Sequence, residues 1–317
     1  MFKPILEAIK RHDTVIIHRH ANPDGDCLGA QVGLMHIIRD SFPGKEVLMT
    51  GDGSKRYAFI LDGCSLDVIP DEKFKNALSI ILDTSSEELI YDSRYKTARE
   101  TARIDHHIFL GKIADFEAVD TSYESCCGLV TQFAMDCHLT VSSKAAQALF
   151  TGTVTDSGRF RYDCTSSGTL RRSAFLLDCG VDYMKIYKKL YVSEFETLRL
   201  RAYFINKIRF TKNHVAYYYT EKSELEEQNV SPFNASRGFV NTMSEIDGVD
   251  IWVAFAECEN GVMCELRSSE YNINPVAVKY GGGGHAKASG ATVADRAAAM
   301  AMLADLDEMA ANGSLLP

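Results

Sequence analysis

The chain has 317 residues, too many for one ordinary compact core and about right for two, since domains cluster at roughly 100–200 residues. Hydrophobic residues make up 46% and charged residues 24%, with 22 Gly and 7 Pro, which excludes collagen-like, coiled-coil and wholly disordered chains. Asp and Glu outnumber Lys and Arg by 43 to 34, so the surface as a whole repels polyanions; long nucleic acid is not an expected partner, whereas a small anion in a local positive pocket is compatible with the charge.

No apolar run approaches the ~20 residues that cross a bilayer, and Lys3, Glu7 and Lys10 interrupt the start, where a secretion signal is apolar. A cytoplasmic protein with no membrane partner is expected. The nine cysteines are odd in number, form no Cys-x-x-Cys pair and sit mostly in apolar segments, so they read as reduced, buried thiols.

Along the first half, short apolar runs alternate with helical patterns, the signature of βαβ units and a parallel sheet. Thr14–His18 is a strand that breaks into a polar loop at Arg19. Cys27–Arg39 follows as a helix, with Leu28, Val32, Met35 and Ile38 at helical spacing. Glu46–Thr50 and Leu78–Leu82 are further strands, the latter ending at Asp83, and Arg103-Ile104 leads into Asp105. Helices are predicted over Ser125–Cys137, Ser143–Gly152 and Ser167–Cys179. A charged stretch without Pro or Gly, Val181–Arg201, predicts a connecting helix, so the organisation expected is a domain over 1–183, a connector over 184–203 and a smaller domain over 204–317. There, Ala202–Phe210 with Val215–Thr220, and Ile251–Cys258 with Val262–Leu266 around Asn260-Gly261, predict two hairpins, and an Ala-rich helix spans 294–311. The fold class expected is α/β: an N-terminal parallel sheet with flanking helices, and an α+β second domain on an antiparallel or mixed sheet.

The densest chemical signal is His18-Arg-His20-Ala-Asn-Pro-Asp24-Gly-Asp26, directly after the first strand. Asn-Pro and Asp-Gly are ordinary turn formers, but carboxylates and imidazoles this close on a tight loop call for a compensating cation. Asp83, Asp105-His106-His107 and Asp156 each stand at or near a predicted strand end or helix start. A single strand-end Asp often only caps a helix; several at one sheet edge describe a site outside the carboxyl ends of the strands. Hard carboxylates with imidazoles and no thiolate favour Mn²⁺, and Mg²⁺, Co²⁺, Fe²⁺ or Zn²⁺ also fit the ligand types. Two divalent cations neutralise the carboxylates of Asp24, Asp26, Asp83 and Asp156, and the pocket then accepts a phosphate. In the second half, Arg267-Ser268, Asn274 and the run Gly281 to His285 describe backbone that must approach something closely, and successive N–H groups there predict an anion-binding nest.

These motifs resemble the DHH phosphoesterase superfamily, named for the triplet that stands here as Asp105-His106-His107. The likeness runs through His20 to Asp26, Asp83, the triplet and Thr155 to Gly158. It implies that His20 and Asp24 hold one metal, that Asp26, His106 and Asp156 hold another, that Asp83 bridges them, and that His107, oriented by Asp105, faces the substrate. The segment from Glu265 to Gly290 resembles the DHHA1 substrate-binding module, which implies that Arg267, Ser268, Asn274, Gly282, Gly283, Gly284 and His285 hold a terminal phosphate. The group most resembled is that of small bacterial oligoribonucleases and 3′-phosphoadenosine-5′-phosphate (pAp) phosphatases. The implied activity is metal-dependent hydrolysis of short RNA and dinucleotides such as pApA and pGpG to mononucleotides, and of pAp to AMP; a cyclic-dinucleotide phosphodiesterase and a non-catalytic nucleotide-binding regulator are the alternatives. A homodimer agrees with the resemblance. Gln31 and Ser157 depart from the family pattern without touching a ligand position. His18, at the buried end of its strand, reads as support for the site or as packing, and Arg159 as a residue able to reach a nucleotide.

Overall fold

Val15, Ile16 and Ile17 are fully buried, as is every residue from Leu78 to Leu82, which is what a parallel sheet covered on both faces requires. The structure, a computed structural model, describes residues 1–313 and divides into two compact units, Met1–Val192 and another beginning at Ser193. The first unit runs α1 (Lys3–Arg11), β1 (Thr14–His18), α2 (Gly25–Ser41), β2 (Glu46–Met49), α3 (Asp71–Phe74), β3 (Leu78–Leu82), β4 (Glu100–Asp105), β5 (Phe116–Val119), α4 (Cys126–Asp136), α5 (Ser143–Asp156), α6 (Ser167–Asp178) and α7 (Tyr183–Tyr191). Its five strands are all parallel, in the order β2-β1-β3-β4-β5. The chain leaves β1 in one direction and returns to β3 in the other, so the carboxyl ends of β1 and β3 flank a topological switch point, where such sheets leave a crevice.

Side chains alternate across this sheet. Val15, Ile17, Leu78, Ile80 and Leu82 join the large core with α2, α4 and α5, whereas Ile16 packs with Phe74 and Ile81 with Tyr95 in smaller clusters. Helices α2 and α5 lie unusually close. A Cβ on Gly29 would stand 2.6 Å from the Ala148 carbonyl, and one on Gly33 would stand 2.5 Å from Leu149 Cγ. Gly25, at the start of α2, likewise faces Thr155 near the end of α5, so this close seam brings Asp24 and Asp26 level with Asp156.

The second unit contains α8 (Phe195–Lys207), β6 (Arg209–Phe210), β7 (Ala216–Thr220), α9 (Lys222–Glu227), β8 (Ile251–Cys258), β9 (Gly261–Ser268), α10 (Asn274–Lys279), β10 (Gly283–His285), β11 (Ala288–Val293) and α11 (Arg296–Asn312). Its sheet, β10-β11-β9-β8-β7-β6, is antiparallel except where β7 meets β8. Val253 and Phe255 pack with Met302 and Leu306 of α11, while Trp252 and Ala254 pack with Phe204 of α8 on the other face.

Several expectations are corrected. The predicted connecting helix is two helices, α7 and α8, interrupted at Val192–Glu194. Ala202–Lys207, read as a hairpin arm, is the end of α8; the β-prone Tyr203-Phe204-Ile205 misleads because only Phe204 of α8 is buried. The second hairpin turns at Glu259-Asn260, with Gly261 already paired to Cys258. Asp156 is the last residue of α5, not the start of a helix. Of the Gly-rich run, Gly283 and Gly284 belong to strand β10, in a hairpin with β11, while Gly281 (φ 78°) and Gly282 turn the chain out of α10 with their amides bonded to the Val278 and Ala277 carbonyls. Strands β5, β10 and β11 and helices α1, α3, α9 and α10 lie outside the elements that the sequence pattern predicts. No helix among the described residues is long and apolar enough to cross a membrane.

Candidate metal centre

The loop after β1 presents His20 and Asp24. Asp24 caps α2, its Oδ1 accepting from the Cys27 amide at 3.0 Å, and its other oxygen lies 3.8 Å from His20 Nε2. The cap and the cluster are therefore one residue's two oxygens. Asp26, in the first turn of α2, is 1% exposed and accepts from the amides of Cys126 and Cys127 at the start of α4, at 2.7 and 2.9 Å. Asp83, just past β3, holds a left-handed backbone (φ 53°), a strained conformation for a non-glycine residue that the flanking strands impose. Asp156 completes the set from the C-terminus of α5, where the helix dipole disfavours a carboxylate and favours a cation beside it.

Asp83 stands between two imidazoles. His20 Nε2 lies 3.6 Å from its Oδ2, and His106 Nε2 lies 3.4 Å from its Oδ1. His106 Nε2 is also 3.5 Å from Asp156 and 3.8 Å from Asp26. In both imidazoles the far nitrogen faces a carbonyl: His20 Nδ1 is 2.8 Å from Ala21 O and His106 Nδ1 is 3.3 Å from Tyr123 O. A carbonyl only accepts, so each Nδ1 carries the hydrogen and each Nε2 is turned toward the carboxylates, the orientation of a metal-ligating histidine. Candidate ligand atoms of His20, Asp24, Cys27 and Asp83, and those of Asp26, His106 and Asp156, form groups lying within 4.8 Å of one another.

The charges confirm how uncomfortable this cluster is alone. Burial, together with Asp83 and Asp156, pushes the Asp26 carboxyl well up, and burial, with Asp83 and Asp24 adding, carries Asp156 to about 7 against the opposing pull of His106. Burial opposes charge on both histidines, but Asp83 with the Ala21 carbonyl and Asp24 outweighs it at His20, raising it to about 9, and Asp83 with Asp26 and Asp156 outweighs it at His106, raising it to about 10. Asp83 is lowered against its own burial by the same two rings. Its Oδ1 is buried without a hydrogen-bond donor, an atom that a cation would satisfy.

His107 forms a third such group with Asp83 and His106, its Nδ1 3.7 Å from Asp83 Oδ1, but a different carboxylate holds it more closely. Its Nδ1 is 2.7 Å from Asp105 Oδ1, while Asp105 Oδ2 accepts from Arg103 at 2.5 Å, and both Arg103 and Asp105 are fully buried. The His107 ring is 45% exposed and lines a cavity of about 400 Å³ shared with His20, Asp24, Asp83, His106 and Asp156. The hydrogen bond to Asp105 raises its pKa.

Residues 14–153 match the model of the DHH family, N-terminal domain, and residues 214–312 match that of the DHHA1 domain. The chain is 35% identical to a probable bifunctional oligoribonuclease and PAP phosphatase NrnA of Streptococcus mutans, over 92% of this chain and 93% of that one. The chain belongs to the DHH family. The Bacillus subtilis bifunctional oligoribonuclease and PAP phosphatase NrnA is 31% identical, over 96% of this chain and 97% of the other. An exopolyphosphatase-related protein of Bacteroides fragilis shares the fold, with a TM-score of 0.85 at 22% identity over 97% of this chain and 95% of that one.

Within the DHH unit, several residues that shape the site escape a sequence reading. Arg19 is fully buried beneath the metal loop, bonding Gln31 Oε1, the His20 carbonyl and both the carboxylate and the carbonyl of Asp52. Gln31 in turn donates to the carbonyls of Ile17 and Thr50, so it ties α2 to the ends of β1 and β2. The signal available was Gly51-Asp52-Gly53, a turn cluster past β2 at the same sheet edge; a Cβ on Gly51 would lie 2.4 Å from the Arg19 guanidinium. His18 lies on the opposite face of β1 from the large core, with Nε2 3.0 Å from Ser79 Oγ and its ring against Phe74 and Tyr95; burial lowers its pKa to about 4. It packs the sheet. Arg159, three residues past Asp156, lies over the Tyr191 ring at 4.6 Å.

In the DHHA1 unit, the candidate phosphate residues are gathered around β9, β10 and β11. Asn274 Nδ2 donates to the Gly284 carbonyl at 2.8 Å and to Ser289 Oγ at 3.2 Å, and Ser268 Oγ donates to the Tyr271 carbonyl. Arg267 is 3.1 Å from Glu265 and bonds the Leu266 carbonyl. Gly282 packs its α-carbon against Gly290 and Ala291, whereas nothing would meet a Cβ on Gly283, and His285 is exposed.

Proposed function

We propose that this chain is a metal-dependent phosphoesterase that cleaves short RNA and linear dinucleotides such as pApA and pGpG to mononucleotides and converts pAp to AMP. The names of its full-length relatives support the substrate class. The observation that carries the chemistry is Asp83, buried between His20 and His106 with an oxygen that no donor satisfies.

The donor set fits two divalent cations. His20 and Asp24 would hold one, Asp26, His106 and Asp156 the other, with Asp83 shared. Oxygen and imidazole donors favour Mn²⁺. Bound there, the cations would supply Lewis acidity and a water acidic enough to act as a nucleophile near neutral pH. The chain's own residues do the rest. The Ala21 and Tyr123 carbonyls fix the ring tautomers. Arg103 holds Asp105, which fixes His107 and favours its protonated form, and the exposed nitrogen is then placed to donate to the leaving oxygen. Arg267 and the Gly282 to His285 segment anchor a terminal phosphate, which selects substrates with a free end.

Asp83→Asn tests this reading, since Asn tolerates the left-handed backbone and removes the charge. Loss of several kcal/mol of transition-state stabilisation predicts a fall of roughly 10³-fold or more in Mn²⁺-dependent release of AMP from pApA, with the fold intact by circular dichroism. Retained activity would falsify the site. Running pAp, pGpG and c-di-AMP beside pApA separates the linear from the cyclic reading.

A further inference from the structure

A second cavity, of about 580 Å³, lies in the first unit against the α2–α5 pair, covered by residues 58–63 and α7. It does not share a lining residue with the metal centre. At 1.5 Å per residue, its walls at Thr151 and Lys144 stand roughly 7 and 18 Å along α5 from Asp156. Its floor is apolar, from Val32, Phe59, Ile60 and Ile186. The exposed Lys144, Lys185 and Lys189 also line it, with Asp62 the one carboxylate beside them. None of the three ammonium groups is paired with a carboxylate among the described residues. His36 also lines the wall, and burial lowers its pKa, so it adds no positive charge at neutral pH.

In a chain of net charge −9, three unpaired lysines around one cavity concentrate positive charge where the average surface has none. An apolar floor with a cationic rim suits a ligand with a flat apolar body and an anionic end, and the volume falls in the range of small-molecule sites. We infer that this cavity binds an organic phosphate of mononucleotide size, at a site separate from the metal centre. The inference rests on the proposed activity only for the source of the ligand, a mononucleotide released by hydrolysis. Bound there, it would brace the two helices whose ends carry Asp24, Asp26 and Asp156.

Isothermal titration of AMP into the full-length protein in excess EDTA tests the site without cations or turnover. AMP is expected to bind, and Lys144→Glu with Lys189→Glu to raise its Kd by about tenfold or more at an unchanged melting temperature, by loss of charge-assisted contacts. Lys144→Arg should keep binding within about threefold, since the charge stays. Lys185→Glu alone keeps the test decisive should the double variant not fold. No binding in EDTA, a Kd indifferent to the lysine variants, or binding lost on Arg267→Ala instead overturns the inference. Mn²⁺-dependent pApA hydrolysis by the same preparations reports separately on the proposed activity.

Discussion

The metal centre and the Gly-rich hairpin both gather polar residues, but they spend them differently. At the centre, Asp26, Asp83 and Asp156 crowd together and Asp83 keeps a buried oxygen without a donor. In the hairpin, Asn274, Ser268 and Ser289 are satisfied by one another and by backbone carbonyls. Like charges held in a buried site are stable only with a counter-charge, whereas a satisfied network is stable empty. The first region therefore calls for a counter-charge, and the second is stable as it stands.

Acidity should expose that difference most strongly. Without cations His20 and His106 titrate at about 9 and about 10, so both are protonated at neutral pH. Cation binding must displace a proton from each Nε2, so the apparent affinity for each cation should weaken by about one decade per pH unit, and the product for the pair by about two, as the pH falls from 9 toward 7. Chelator competition with Mn²⁺ measures the slope, and titration in buffers of different ionisation enthalpy counts the protons released. A slope near zero would mean that the histidines face away from the cations.

The next largest effect belongs to His107. Removal of a positioned proton donor costs roughly 10²–10⁴-fold. His107→Ala should lower kcat by that factor while leaving Mn²⁺ affinity within a few-fold, because the ring's short contact, 2.7 Å, is to Asp105, whereas Asp83 lies 3.7 Å away. A parallel loss of Mn²⁺ affinity would move His107 into the cation site.

How much of this could be read beforehand follows from the range of the interactions involved. β1 and β3 are legible because burial on both faces writes a continuous apolar run, and His20 and Asp83 are legible because each follows such a run at the same edge. The Asp105 triplet and Asp156 are visible as residue types, though the helix end that carries Asp156 is not. Arg19 is illegible because its partner Asp52 lies 33 residues away, and a buried arginine looks in sequence like an exposed one. Gly282 illustrates the converse: the close approach predicted for it is real, and the neighbour that requires it is the backbone of Gly290, a contact between segments that no spacing in the sequence reveals.

That last point gives Arg267 a distinct and smaller expectation. Its side chain is already paired with Glu265 and the Leu266 carbonyl, so a phosphate must compete with existing partners rather than fill a void. A charge-assisted hydrogen bond contributes roughly 1.5–3 kcal/mol, and competition leaves the lower end. Arg267→Ala should therefore raise KM for pApA by about tenfold with kcat within about threefold, the pattern of an interaction made equally in the ground and transition states. Equal loss in kcat would place Arg267 against the reacting phosphate, and an unchanged KM would leave it as a strut between β9 and β11.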